Sequence, residues 1–293
     1  SSSSVLQSMH IVAVGRACHA TSKRAFSEWA DTTTLGELAG VDVRRLTSQH
    51  FWDQMDQLPV ELIAPIECEI VGRALTGFTP TLNTLLYDAT NFFTFIASTN
   101  TKPKLPARGH QKQKRNDLRQ IVVALLCSRR DGIPLWHVTY GGQVADSKCF
   151  AAVLPAIRER LAQLGRAPDT LTIVYDKGNV SRANQQLVDA APFHYVSALP
   201  TAGQRTLVAH ANAHLADVVL GPDETVPAFR TRRTLWGGDR TVIVIVSERL
   251  REGQMRGIMQ HVAAAQRWLA RLADCCVARP PPSLVAPSVS VAT

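Results

Sequence analysis

Two hydrophobic periodicities divide the chain. Up to about residue 80 apolar positions recur at helical spacing. Phe26 and Trp29 share a face behind Ser22, a predicted N-cap, and Phe51, Trp52, Met55 and Leu58 follow Thr47-Ser48, with Pro59 and Pro65 interrupting the pattern. Beyond 80 the texture becomes that of strands. Leu82 to Asp88 predicts a strand and Phe92 to Ile96 its neighbour. Leu118 to Ser128, apolar on both faces, predicts a buried strand, and Ile133 to Tyr140 returns after the turn Arg130-Asp131-Gly132. A helix over about 147–164 carries Phe150, Val153, Leu154, Ile157 and Leu161 on one face. A strand Leu171 to Tyr175, a helix over about 180–190 and a strand Tyr195 to Leu199 complete the order βββαβαβ. That order predicts an α/β protein with a mixed sheet and helices on its faces. Thr225 to Leu235 and Arg240 to Val246 read as a hairpin around Trp236-Gly237-Gly238-Asp239, followed by a long helix over about 248–273. The expected organisation is a small helical region at 1–80, a core at 81–224, the hairpin and helix at 225–275, and a disordered proline-rich tail at 276–293.

Length adds that 293 residues bury a substantial core without staples. The longest uninterrupted apolar run, Ile121 to Cys127, has seven residues, and a membrane span needs about 20. The start, four serines with the first Met at 9, has neither the basic nor the apolar part of a secretory signal and reads as that of a fragment or of a protein that begins mid-domain. Cysteines 18, 68, 127, 149, 275 and 276 form no C-x-x-C pair and read as reduced, buried thiols of a cytosolic protein.

The net charge of +8 points to a polyanionic partner, and its distribution says more. Lys102, Lys104, Arg108, Lys112, Lys114, Arg115 and Arg119 face only Asp117 in a Pro- and Gly-punctuated segment that predicts an exposed loop. Such a loop suits a phosphate backbone.

Two acids stand out by position. Asp88 closes the first predicted strand and Asp176 the fourth, and in a βββαβ sheet these strands can lie side by side. Two adjacent carboxylates repel unless a cation lies between them. A hard divalent ion with oxygen ligands fits, and Mg²⁺ also binds phosphate oxygens. Two such ions about 3.5–4 Å apart serve phosphoryl transfer. The plainer reading is that each aspartate caps a turn at a strand end.

Together with these acids, Tyr87-Asp88-Ala89-Thr90-Asn91, Arg108-Gly109-His110, Gly132-Ile133-Pro134-Leu135, Gly142-Gln143-Val144-Ala145-Asp146-Ser147 and Asp176-Lys177-Gly178-Asn179-Val180-Ser181 resemble, in order and spacing, the DDE transposases of bacterial insertion sequences. The resemblance covers about 80–200 and extends loosely to Arg16, Ser22-Lys23 and Trp29 upstream and to Ser247-Glu248 downstream. It implies an RNase-H-like catalytic domain, Asp88 and Asp176 as catalytic metal ligands, Mg²⁺ or Mn²⁺ as cofactor, and hydrolysis at element ends followed by strand transfer. Double-stranded DNA at element ends and target is the implied partner, with no membrane, a nucleoid-associated location and a homo-oligomer on DNA. Lys102, Lys104, Arg108, Lys112, Lys114, Arg115, Arg119 and Lys177 are the implied DNA contacts, and the helices of 1–80 a DNA-binding region by analogy. No nucleotide cofactor is implied, and neither G-x-x-x-x-G-K-[ST] nor G-x-S-x-G occurs.

The family's third acid lies in Y-x-x-R-x-x-x-E-x-x-x-x-x-x-K, and this pattern is missing. The chain therefore reads as truncated before it, and Glu248 is the remaining candidate ligand. Two readings stay open: a transposase with its third acid elsewhere, and a non-catalytic DNA-binding remnant. RNA binding is the third, and it predicts exposed aromatic stacking positions. His210 and His214 stand at i and i+4 without a third ligand and read as a solvated helix face. His137 reads as a core histidine, and Asp146, with Ser147, as an N-cap. Arg230, Arg232, Arg233 and Arg240 make the hairpin basic, either for DNA or as protection of an edge strand.

Overall fold

Among the residues that the computed structural model describes (3–97, 99–109, 115, 117–222 and 224–278), five helices precede the first strand. They are α1 (Val5–Cys18), α2 (Phe26–Asp31), α3 (Leu35–Ala39), α4 (Ser48–Asp56) and α5 (Ile63–Phe78). Thr47 caps α4 by accepting from the His50 N–H at 3.2 Å. Ser22 caps a turn ahead of α2 rather than α2 itself, accepting from Ala25 N–H at 3.3 Å, while α2 starts at Phe26. Ile11, Phe26, Ala30, Val43, Leu46 and Phe51 close a small core of their own.

The strands that follow are β1 (Thr84–Thr94), β2 (Arg119–Ser128) and β3 (Pro134–Gly141), an antiparallel meander. Next come α6 (Asp146–Gln163), β4 (Thr172–Tyr175), α7 (Arg182–Asp189) and β5 (His194–Ser197). The sheet order is β3-β2-β1-β4-β5, with β4 parallel to β1 and β5 parallel to β4. This is an RNase-H-like mixed sheet. One face is buried: Leu85, Tyr87, Ala124, Leu126, Ile173 and Tyr175 pack with Phe150, Val153, Leu154, Ile157 and Leu161 of α6.

One expected boundary is wrong. The segments Leu82 to Asp88 and Phe92 to Ile96 do not form two neighbouring strands. Ten unbroken rungs to β2, from Leu85↔Ser128 to Thr94↔Arg119, carry β1 straight through Ala89-Thr90-Asn91. A full-length partner strand overrides the local turn preference of Asn91. Asp88 is consequently inside a strand of 11 residues, not at its end.

The first compact unit runs to Leu199 and the second starts at Pro200. The second contains α8 (Arg205–Asn212), the antiparallel sheet β6 (Ala216–Gly221), β7 (Glu224–Leu235) and β8 (Gly238–Ile245), and α9 (Glu248–Ala278). The β7–β8 turn is shorter than expected, only Trp236-Gly237, both with positive φ (54° and 90°). Two left-handed residues match the twist of a tight hairpin. The hairpin also gains a third strand, β6, which makes β7 central. β6 covers only the Glu224–Ala228 part of β7, so Arg230, Arg232 and Arg233 lie beyond it, paired with β8 alone, and Arg240 sits on β8. The tail from 279 lies outside the described residues. Among those described, no helix is long and apolar enough to cross a membrane.

Candidate functional site

The last rungs of the β1–β4 ladder are Leu86↔Val174 and Tyr87↔Tyr175. Both tyrosines are buried, at 2% and 3% exposure, with Phe150 against them at ring-centroid distances of 5.4 and 4.7 Å. The next residue of each strand is an aspartate. Asp88 continues in β1, and Asp176 keeps extended backbone (φ −72°, ψ 156°) before a 3₁₀ turn at Lys177–Asn179. Alternation along a strand turns each carboxylate to the face opposite its tyrosine. Asp88 and Asp176 therefore leave adjacent strands, about 4.8 Å apart in a parallel ladder, on the same open face. Both are exposed, and neither carboxylate has a hydrogen bond or ion pair among the described residues.

The turn after Asp176 is held from below. Asn179 N–H donates to the Asp176 carbonyl at 3.0 Å. Ser181 caps α7 by accepting from Asn184 N–H at 3.1 Å, Asn184 Nδ2 donates to the Asn179 carbonyl at 2.8 Å, and Gln185 Nε2 donates to Tyr175 Oη at 2.7 Å. The side chains that follow Asp176 in sequence thus fix the strand end that presents it.

The basic segment is anchored to the same sheet. Ala107 and Gln120 exchange both backbone hydrogen bonds, at 3.0 and 2.9 Å. Buried Gln120 donates from Nε2 to the Gly142 carbonyl at 3.0 Å. At this crossing a Cβ on Gly109 would run into the Gly142 carbonyl, and one on Gly142 into the carbonyls of Gln120 and Ala107. Close approach, not turn geometry, requires both glycines. Arg108 sits between Ala107 and Gly109. Arg119 is on β2, six residues from Leu125, the β2 partner of Asp88, which is about 20 Å along the strand. Its Nη1 donates to the Asn100 carbonyl at 2.7 Å. Lys102 and Lys104 are placed in the exposed part of the segment, and Lys177 directly follows Asp176. Arg115 grips Asp117 through two hydrogen bonds, at 3.0 and 2.9 Å. That guanidinium holds the Asp117 carboxyl below its ordinary range. Lys112 and Lys114 lie outside the described residues.

Several other expectations are corrected. His137 is not a core residue: its side chain is 39% exposed and Nδ1 lies 2.5 Å from Glu67 Oε1. The other oxygen of Glu67 accepts from buried Arg160 at 2.7 Å. Glu67 carries a readable signal, since it occupies the face of α5 that Val71 and Leu75 bury at spacings of four. The N-cap of α6 is Ala145, with Asp146 its first helical residue, because Ala145 keeps extended backbone. Among the cysteines Cys18 is exposed, and partial burial raises the Cys127 thiol above its ordinary pKa. His214 lies beyond the end of α8 rather than on its face; its ring is 4.3 Å from that of His210, and Phe229 packs against both.

The donor set of Asp88 and Asp176 is all oxygen and unpaired, which suits a single hard cation keeping several waters. Among the described residues no group of three or more His, Cys, Asp or Glu side chains is placed to hold a metal ion.

No protein-family model matches the chain, and no curated protein matches it. Among solved structures, the Mos1 transposase paired-end complex with left transposon end aligns at 10% identity over 64% of this chain and 57% of that one, with a TM-score of 0.29. A pre-cleavage Mos1 transpososome aligns at 9% identity over 70% and 65%, with a TM-score of 0.30. The piggyBac transposase synaptic complex with hairpin DNA aligns at 12% identity over 83% and 52%, with a TM-score of 0.39. The chain spans between about half and two-thirds of the length of these structures. Overlaps this low add nothing to the assignment of the fold, which rests on strand order and register.

Proposed function

We propose that this chain derives from a DDE-type DNA transposase of a bacterial insertion sequence and that Asp88 and Asp176 are its first two metal-binding acids. The observation that carries the reading is their shared position, one residue past the last β1–β4 rung, on the open face and without partners. Either aspartate alone would be an ordinary strand residue. Two on one face create a negative site that a hard cation stabilises.

In this reading the pair holds Mg²⁺ or Mn²⁺ with oxygens only. Bound there, such an ion supplies Lewis-acid polarisation of a phosphate and activation of water or a 3′-hydroxyl. The chain's own residues orient and attract. Phe150 and Gln185 hold the tyrosines that set the two strand ends, and Lys102, Lys104, Arg108, Arg119 and Lys177, with Lys112, Lys114 and Arg115 of the same segment, contact the phosphate backbone of double-stranded DNA. The helices of 1–80 are assigned to DNA binding and the sheet and helix of 225–275 to the family's insertion. The reading places the protein on DNA in the cytoplasm.

One observation favours a second reading, the DNA-binding remnant: no third acidic ligand joins the pair among the described residues. Incubation of the full chain with supercoiled plasmid and Mg²⁺ or Mn²⁺, beside Asp88→Asn, separates the two. Metal-dependent nicking by the wild type that Asp88→Asn lacks supports the transposase. DNA binding without nicking selects the remnant. Equal cleavage by both proteins excludes Asp88 as a ligand.

A further inference from the structure

The turn from α8 into β6 holds two histidines that the proposed chemistry does not use. Leu207 and Ala211, at 4% and 0% exposure, bury the inner face of α8. His210 lies in the last turn of that helix, and His214 follows its C-cap, Ala213. Both are exposed. Their ring centres are nevertheless only 4.3 Å apart, and Phe229 of β7 lies against both, at 5.3 and 6.0 Å. The backbone fixes this closeness. Ala213 N–H donates to the His210 carbonyl at 3.2 Å, and His214 N–H to the Ala211 carbonyl at 2.9 Å.

The hydrogen bond of one ring decides which of its nitrogens is available. His214 Nδ1 lies 2.8 Å from the His210 carbonyl oxygen. A carbonyl only accepts, so Nδ1 carries the proton and donates it, and in the neutral ring Nε2 keeps its lone pair. Metal-binding histidines are oriented in this way, by donating the other ring N–H to a carbonyl or carboxylate. The His210 ring has no hydrogen bond among the described residues, so either of its nitrogens can be turned outward. The spacing also fits. Two imidazoles on one ion, each nitrogen about 2.0–2.1 Å from it, have ring centres roughly 4.5–5 Å apart. The pair is therefore within about half an ångström of the separation that one ion requires.

We propose that His210 and His214 form a site for a borderline divalent transition ion of the Zn²⁺ class, one nitrogen from each ring. No third His, Cys, Asp or Glu joins them among the described residues, so water or a further ligand completes the coordination. Nitrogen donors select Zn²⁺, Co²⁺ or Ni²⁺ over Mg²⁺, whereas the oxygens of Asp88 and Asp176 suit the harder ions. The ion clips the end of α8 to the turn that leads into β6. The proposal rests on α8 and β7 alone and does not depend on the transposase reading.

Two measurements on the full chain test it, both in excess Mg²⁺ to occupy oxygen sites. The first is titration of the wild type with Co²⁺, the paramagnetic counterpart of Zn²⁺, followed by the ring-proton resonances of its nine histidines. Two resonances are expected to broaden together ahead of the other seven, and to be those missing from His210→Gln and His214→Gln. The second is Zn²⁺ calorimetry of the same proteins. Loss of a group that merely orients a ligand costs about 10–100-fold in affinity, so loss of either ring is expected to cost at least that. His261→Gln, an exposed histidine of α9, is expected to bind as the wild type does. Uniform broadening of all nine histidines overturns the proposal, as does Zn²⁺ binding that survives in the doubly substituted chain. An effect of one substitution without the other overturns it too, because the rings then do not share an ion.

Discussion

Tyr87 and Tyr175 face each other across the final rung of the β1–β4 ladder, and Phe150 packs against both rings. Every geometric property of the candidate site descends from this pair. Because both tyrosines point into the core, the following Asp88 and Asp176 point out of it, and on the same side. Phe150, fully buried, sets the level of the two strands relative to α6. Phe150→Ala is expected to cost about 3–5 kcal/mol through removal of the side chain and the cavity left behind. Chemical denaturation measures this, and a loss below about 1 kcal/mol would show that the aromatic cluster does not organise the sheet.

If the two aspartates share an ion, each is needed for it. Asp88→Asn and Asp176→Asn are each expected to weaken Mn²⁺ binding at least about tenfold, as loss of one of only two charged ligands requires. Both aspartates are exposed and unpaired, so the fold is expected to be unaffected. Titration followed by Mn²⁺ electron paramagnetic resonance, with circular dichroism as control, reads both. Binding that persists in both variants removes the pair from the site.

The basic segment acts through charge alone in the proposed reading. Neutralising Lys102, Lys104 and Arg108 is expected to weaken binding to unrelated DNA sequences alike. The slope of log K against log salt should flatten by about 0.9 for each phosphate no longer neutralised. Fluorescence anisotropy at several salt concentrations measures it. The same triple variant with an unchanged slope would place the DNA elsewhere.

Glu67 holds together α5, α6 and β3. Its two oxygens serve His137, at 2.5 Å, and buried Arg160, at 2.7 Å. Glu67→Ala leaves a guanidinium at 4% exposure without its carboxylate, at an expected cost of about 3–5 kcal/mol. Replacing both partners, Glu67→Met with Arg160→Met, is expected to recover most of that stability, since the charge leaves with its counterion. Thermal unfolding of the single and double variants distinguishes a needed pair from a bystander.

Gly142→Ala tests the crossing that ties the basic segment to the sheet. The added methyl meets the carbonyls of Gln120 and Ala107, which are themselves hydrogen-bonded to each other's strands. An overpacking cost of about 1–3 kcal/mol is expected, lowering the melting temperature by several degrees. Weaker DNA binding without any change of charge would accompany it if the anchor positions Arg108.

The alternation around Tyr87 and Tyr175, the helical face of Phe150 to Leu161, and the order of strands and helices follow from local periodicity, which a sequence carries directly. The long helix after the hairpin is equally plain, because its helical period needs no tertiary partner to be seen. What the amino acids alone left undecided are relations between distant segments. Nothing in Ala89-Thr90-Asn91 announces that β1 continues through it; pairing with β2 decides that. Nothing near Gly109 or Gly142 states that they touch, and Glu67 reveals its partners only when α5 lies against α6 and β3. Most of all, Asp88 and Asp176 are 88 residues apart in the chain, and only the parallel register of β1 with β4 makes them neighbours. Propensity and pattern act over a few residues, whereas register is set by the packing of whole elements, and that is why the elements and the two acids are legible in the sequence and the register that joins them is not.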